Sequence, residues 1–219
     1  MKHYPVWDVP TRLFHWLLLI NFLVSWVSFE LARMQVHLYA GYTMLALVLF
    51  RIVWGFLGSH HSRFSDFVRG PGAAMRYLRD GISPTPGHNP LGGWSVLALL
   101  GLLMVQAISG LFNADTEGTR APYHHLLSEE QGNWVGLIHQ LVFDALLVLV
   151  ALHLLAIAFH TRYKNEPLLA AMIRGRAIDK NGEAAPVSWG RALTVIILCA
   201  GAVTALVYYA PKPPAVVYF

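Results

Sequence analysis

Five long apolar stretches dominate the pattern of hydrophobic and polar positions along the chain. They cover residues 13–29, 37–57, 94–112, 135–160 and 192–209. A bilayer core about 30 Å thick requires roughly 20 mostly apolar residues per helix, so each stretch is suited to crossing it. None shows the ten-residue alternation that is typical of a membrane barrel. The pattern therefore predicts an all-α integral membrane bundle with five transmembrane helices.

The segments between these stretches predict shorter features. Residues 71–80 have the pattern of a short interfacial helix that starts at a proline. Apolar positions 168, 169, 172 and 173 share one helical face after the fourth span. We expect an irregular connector over residues 81–93, which are rich in proline and glycine. Ser128 and Gln131 have the spacing of a capping box, so we expect the fourth membrane helix to begin there.

The composition agrees with a membrane protein and excludes several classes. Of the 219 residues, 56% are hydrophobic and 13% are charged, whereas a soluble domain carries about 25% charge. This excludes an ordinary soluble enzyme, a disordered chain and a nucleic-acid-binding domain. The single cysteine, Cys199, excludes a disulfide framework, a cysteine-ligated iron–sulfur cluster and a covalently attached CxxCH haem.

The lysine and arginine residues predict the orientation in the membrane. The N-terminal segment carries two, the loop after the second span four and the loop after the fourth span six, which together make twelve. The opposite side carries only Arg33, Arg120 and Lys212. By the positive-inside rule we expect a cytoplasmic N-terminus and, after five spans, a periplasmic C-terminus. The net charge of +4 therefore reflects topology, and we expect lipid contact and no nucleic acid.

Of the eleven histidines, five lie within the predicted spans, and four of these five lie at matched depths. His15 is near the start of the first span, His37 opens the second, and His139 and His153 are on the fourth. Fourteen residues of helix rise about 21 Å and return to within about 40° of the same face. Because successive spans run in opposite directions, we expect His37 to be level with His139, and His15 with His153.

Two neutral imidazoles that face each other across a bundle suit a low-spin haem iron with two axial histidines. Without CxxCH the haem is held non-covalently, so the pattern predicts two b haems, one at each level. Gly41 follows His37 by one turn and leaves room for a flat macrocycle. Arg12 and Arg51 are candidate partners for haem propionates, with snorkelling or positive-inside placement as the alternative for both. His160 is the rival of His153, which we prefer as the deeper and better buried residue.

Histidines outside the membrane and other possible functions must also be considered. We expect four histidines of the cytoplasmic segments to be solvated: His3, His60, His61 and His88. Intramembrane histidines also suit a metal-ion or proton transporter, but such a protein is expected to add mid-membrane carboxylates, and only Asp144 qualifies. A structural anchor for a redox complex that binds no cofactor is the third alternative.

Several segments resemble the bacterial cytochrome b561 family, which includes the b-type cytochrome subunits of nickel–iron hydrogenases. The motifs that carry the resemblance are VWDVPTRLFHW from residue 6, HLYAGYTMLALVLFRIVWGFLGS from residue 37, GHNPLGGW from residue 87, the helix with His139 and His153, and MIRGR from residue 172. The resemblance covers roughly residues 6–177. It implies four helices around two b haems, with axial ligands that correspond to His15, His37, His139 and His153.

The resemblance also implies a domain organisation and a function. Residues 1–177 form the dihaem cytochrome domain, and residues 178–219 form a cytoplasmic linker and a fifth membrane helix outside the four-helix pattern. Such a protein lies in the bacterial inner membrane and transfers electrons between a quinone, ubiquinone or menaquinone, and a redox partner. Similar proteins oxidise or reduce quinones, accept electrons from hydrogenases or remove superoxide, and the sequence does not choose among these activities. The acidic outer loop favours a basic partner such as a periplasmic c-type cytochrome, with an oxidoreductase subunit as the alternative.

Overall fold

The computed structural model describes residues 3–81, 88–114, 119–178 and 188–213. These residues form eight α-helices: α1 (Val9–Glu30), α2 (Met34–Leu57), α3 (Phe64–Phe67), α4 (Pro71–Asp80), α5 (Pro90–Gly110), α6 (Glu129–Tyr163), α7 (Leu168–Arg174) and α8 (Trp189–Tyr208). Two short strands, β1 (His3–Pro5) and β2 (Arg176–Ile178), form an antiparallel pair. Among the described residues, five helices are long and apolar enough to span a membrane: α1, α2, α5, α6 and α8. The predicted helical membrane bundle is confirmed.

Local sequence signals determine where the helices begin. The Ser128 side chain accepts from the backbone of Gln131, whose side chain accepts from the backbone of Ser128, so the predicted capping box is confirmed. The predicted helix that starts at Pro71 is also confirmed. The irregular connector is wrong for residues 90–93, because the Asn89 side chain caps α5 and Pro90 fits its first turn. Residues 82–87 of that connector lie outside the described residues.

The membrane helices pack as neighbouring pairs with α2 in the centre. Helix α2 packs against α1, α5 and α8, and α5 packs against α6. Helix α8 contributes four buried residues, spaced by three or four positions, to the common core: Ala192, Val195, Cys199 and Val203. The fifth membrane helix is therefore part of the bundle.

Helix α6 has the least buried surface of the spans. Its 35 residues extend about 50 Å, well beyond a bilayer core. In the described part of the chain its close backbone neighbours are α5 and α7, and it approaches α1 and α2 mainly through side chains, such as Phe143 with Phe22 and Trp26. A space between α6 and the α1–α2 pair is thus bridged by side chains rather than by backbone packing.

The end of the bundle at which α1 begins, called the N-terminal end below, is closed by the segment after α7. Val6 and Trp7 donate backbone hydrogen bonds to the Gly175 carbonyl at 2.9 and 3.2 Å. Gly175 has φ +77°, and a Cβ there would lie 2.9 Å from the Trp7 carbonyl oxygen, so this position requires glycine. Arg12 Nη1 donates to the Ile173 carbonyl at 2.5 Å. These contacts join the two terminal motifs of the resembling region.

Candidate functional site

The structure brings the side chains of His37 of α2 and His139 of α6 together at the end of the bundle opposite to the N-terminal end. Their ring centres lie 6.3 Å apart, with the ring planes at 78°. Two imidazole nitrogens that bind opposite sides of one metal at about 2 Å each place their ring centres roughly 6 Å apart. The separation therefore fits a bis-histidine metal centre.

Hydrogen bonds orient both rings of this pair. His37 Nδ1 lies 2.8 Å from the Ser25 carbonyl oxygen, which can only accept, so Nδ1 carries the proton and Nε2 the lone pair. His139 Nε2 lies 3.0 Å from the amide nitrogen of Gln106, and Nδ1 lies 2.9 Å from Ser109 Oγ. The Gln106 amide nitrogen can only donate, so Nε2 is again the lone-pair nitrogen, and it accepts this hydrogen bond. Metal binding through Nε2 therefore requires the Gln106 amide to move away. Such partners on Nδ1 are the usual means of preparing an imidazole to bind metal through Nε2.

His15 of α1 and His153 of α6 occupy the N-terminal end. The two imidazoles are close enough to interact electrostatically. Within the described residues, His15 Nδ1 is buried and has no hydrogen-bond partner. An unsatisfied buried polar atom costs about 1–3 kcal/mol, so this nitrogen is suited to a bound group that the polypeptide does not supply.

Arg51 of α2 lies at the level of the second pair. It follows His37 by fourteen residues, the separation that also relates His139 and His153. Its side chain is 3% exposed, and its Nη1 is buried without a hydrogen-bond partner. The guanidinium lies over the rings of Phe64 and Phe67, at 5.0 and 5.9 Å. A buried cation in this state favours an anionic ligand.

Arg12, the second predicted propionate partner, is half-buried on α1. Besides the bond from Nη1 to Ile173, its Nε is buried and has no partner among the described residues. Its guanidinium is close to the backbone of Gly175, where a Cβ would lie 3.1 Å from Cζ. Arg12 therefore serves the closure of the N-terminal end and retains one donor for a bound anion.

Asp8 anchors the start of α1 through a buried network. Its Oδ1 accepts from the Thr11 backbone at 2.7 Å, and its Oδ2 accepts from Trp54 Nε1 at 3.0 Å, Ser59 Oγ at 2.6 Å and Ser62 Oγ at 2.8 Å. Burial favours a higher pKa for the Asp8 carboxyl, but these hydrogen bonds outweigh it and hold the pKa below its usual value. The sequence motif around Asp8 therefore positions the helix that carries His15.

His88 is not solvated, so that prediction is wrong. Its ring packs at 4.6 Å from the Trp7 ring and at 4.5 Å from the Phe67 ring. Burial, followed by the positive charge of Arg51, lowers the pKa of His88 to about 3. His88 also interacts electrostatically with His15 and His153. The sequence did contain one signal for this burial: His88 directly precedes Asn89, the cap of a membrane helix, and so lies at the end of the bundle.

The prediction that His61 is solvated is also wrong. It is 5% exposed, and its Nδ1 lies 3.1 Å from Asp66 Oδ2. His60 is exposed, in agreement with the prediction, and the side chain of His3 lies outside what the structure describes.

His160 is 9% exposed and buried, so the expectation that His153 is the better buried of the two is wrong. Both ring nitrogens of His160 have partners: Nδ1 lies 2.8 Å from Glu166 Oε2, and Nε2 lies 3.4 Å from the Tyr77 hydroxyl. The Tyr77 hydroxyl also accepts from Lys164 Nζ at 3.1 Å. The ring of His160 thus links α6 to α4 and to the turn before α7, so His153 stays the candidate ligand.

Asp144, the one mid-membrane carboxylate that a transporter could use, does not face the histidines. Asp144 is exposed on α6. A transport site would place such a group inside the bundle beside the histidines. The arrangement therefore favours bound haem over ion transport.

Comparisons with known proteins identify the family of the chain. No match is found among curated proteins or among solved structures. The sequence model of the prokaryotic cytochrome b561 family matches residues 6–175. This range includes all four candidate histidines and both candidate arginines. This family includes the b-type cytochrome of hydrogenases and implies haem b and transmembrane electron transfer. The chain belongs to the prokaryotic cytochrome b561 family.

Proposed function

We propose that this b-type cytochrome holds two haems, one between His37 and His139 and one between His15 and His153. The observation that carries the proposal is the His37–His139 pair, whose ring centres lie 6.3 Å apart and whose Nε2 atoms both carry lone pairs. Bound haem supplies one-electron redox chemistry. The polypeptide would ligate the iron atoms through these histidines and separates the two levels by about 21 Å along α6. Two centres at opposite ends of the bundle provide a route for electrons across the membrane.

The chain's surroundings are part of the proposal. We place it in the bacterial inner membrane with the N-terminal end in the cytoplasm, because twelve of its sixteen lysine and arginine residues belong to segments on that side. Ubiquinone or menaquinone exchanges electrons with it from the bilayer, and a c-type cytochrome or an oxidoreductase subunit is the redox partner. Exposed Glu129 and Glu130 at the start of α6 support a basic partner at the opposite end, while Asp115 and Glu117 lie outside the described residues.

Haem counting tests the ligand assignment. Pyridine haemochrome analysis of the purified chain should give two b haems, and His139→Ala and His153→Ala should each leave one. His60→Ala is the matched control, because His60 is exposed and should leave both haems in place. A reduced-minus-oxidised spectrum without b-haem bands would refute the proposal and leave the transporter or the cofactor-free anchor. Retention of both haems in both alanine variants would refute the pairing.

Ionic strength tests the charge of the partner. If exposed acidic side chains steer a basic c-type cytochrome, the second-order rate of electron transfer should fall as salt increases. Replacement of Glu129 and Glu130 by glutamine should reduce both the rate at low salt and its salt dependence. A rate that is indifferent to salt would count against this partner.

A further inference from the structure

Arg51 and His88 approach one another from different elements at the N-terminal end of the bundle. The Arg51 guanidinium carbon lies 5.9 Å from the Phe67 ring centre, and the His88 ring lies 4.5 Å from the same ring. Trp7 covers His88 at 4.6 Å. Arg51 and His88 interact electrostatically, and His88 interacts in the same way with both His15 and His153. Two polar groups are thus enclosed by aromatic rings beside the second histidine pair.

The charge of Arg51 is incompletely compensated by the polypeptide. The carboxylate that acts on it electrostatically is Asp8, but no ion pair within 4 Å joins the two in the described residues. Both Asp8 oxygens already accept hydrogen bonds, from Thr11 on one side and from Trp54 and two serines on the other. Asp8 therefore is not the acceptor for the partnerless Nη1 of Arg51.

His88 complements this cation with a neutral donor. Its lowered pKa keeps the imidazole uncharged at neutral pH, so the group offers an N–H without adding a second buried positive charge. A guanidinium and an imidazole N–H that share an apolar enclosure match a carboxylate, which accepts several hydrogen bonds and brings one negative charge. The neighbouring His15 and His153 indicate which carboxylate can reach the enclosure.

We propose that Arg51 and His88 together bind one propionate carboxylate of the haem held between His15 and His153, with His88 as a positioning residue. The proposal rests on the proposed function and adds a residue and a site to it. The pair offsets the charge of the carboxylate, which otherwise stabilises ferric over ferrous iron. The N-terminal haem therefore depends on His88 for its potential, and the haem of His37 and His139 does not.

Two substitutions separate the donor of His88 from its packing. His88→Phe keeps an aromatic ring between Trp7 and Phe67 but removes the N–H, whereas His88→Gln keeps an N–H donor without the ring. In redox titrations of the purified holoprotein, His88→Phe should lower the midpoint potential of one haem and leave the other unchanged. The affected haem should be the one that His153→Ala removes. His88→Gln should return the potential towards the wild-type value, and His60→Phe should change neither haem.

A chemically altered haem distinguishes a direct interaction between His88 and the propionate from a purely structural role of His88. Reconstitution with haem dimethyl ester removes the carboxylate charge, so wild type and His88→Phe should then have the same potential at the affected haem. Arg51→Gln gives a second route if His88→Phe does not accumulate, since loss of the positive charge should lower the same potential. Failure to find two haems in the wild type would overturn the proposed function itself. Two haems with equal shifts, or with none, in His88→Phe or in Arg51→Gln would overturn this inference alone.

Discussion

The substitution Asp8→Ala measures how strongly the N-terminal end of the bundle is held together. It removes the cap of α1, which contributes about 1 kcal/mol. It also removes the acceptor of the buried Trp54 indole, and a buried donor without a partner costs about 1–3 kcal/mol. The hydroxyls of Ser59 and Ser62 lose less, because they lie 3.1 Å apart and can bond to each other. We expect a loss of about 3 kcal/mol of unfolding free energy.

The pH dependence of this loss follows from the pKa of Asp8. The folded state holds that pKa below its usual value, so the stabilisation is fully present above the pKa of the unfolded chain, about 3.9. It disappears as the pH falls through the lower pKa of the folded state. The difference between wild type and Asp8→Ala should therefore be constant near neutral pH and should shrink below about pH 4.

Thermal unfolding of the detergent-solubilised holoprotein, followed by circular dichroism and by the Soret band, measures the effect. Ser59→Ala is the matched control, because it removes one of the four hydrogen bonds and leaves the charge and the cap; it should cost about 1 kcal/mol. If Asp8→Ala unfolds within about 0.5 kcal/mol of wild type, as an ordinary surface substitution does, the Asp8 network does not hold this end of the bundle.

Three further predictions concern the space around the proposed haem sites and the core. Gly110→Ala places a Cβ 3.2 Å from His139 Cε1, so the low-spin electron paramagnetic resonance signal of one haem should shift; an unchanged spectrum would contradict the contact. Gly41 has no atom within 4 Å of a Cβ position, so Gly41→Leu should keep the helical circular dichroism but lose one haem, and two haems would refute its role as space for the macrocycle. Leu146 is 1% exposed, and Leu146→Ala should lower unfolding free energy by about 2–5 kcal/mol. Leu152→Ala, at a 55% exposed position, should cost far less, and equal costs would contradict the assigned core.

Properties that depend on local sequence were predictable. A membrane span depends on the apolar content of about 20 consecutive residues, so all five were evident without a structure. The capping box of α6 depends on Ser128 and Gln131 alone. The alignment of His139 with His153 depends only on the period of one helix. The sequence also carried enough motif similarity to identify the family that residues 6–175 match.

Properties that depend on contacts between distant segments were not predictable. His88 was expected in water because its own segment is polar and rich in proline and glycine, but Trp7 and Phe67 from two other segments pack against its ring and leave it half-buried. Asp8 had no predicted role, since its partners Trp54, Ser59 and Ser62 are about fifty residues away.

The sequence by itself determined the membrane class, the spans and the four candidate histidines, because hydropathy and helical period act within one segment. Only the tertiary structure decided which polar groups at the helix ends are buried. Burial at a helix end depends on which remote elements pack over it, and here these are the N-terminal segment, α3 and the segment after α7. The packing of these elements encloses Arg51 and His88 beside the histidine pair of the N-terminal end.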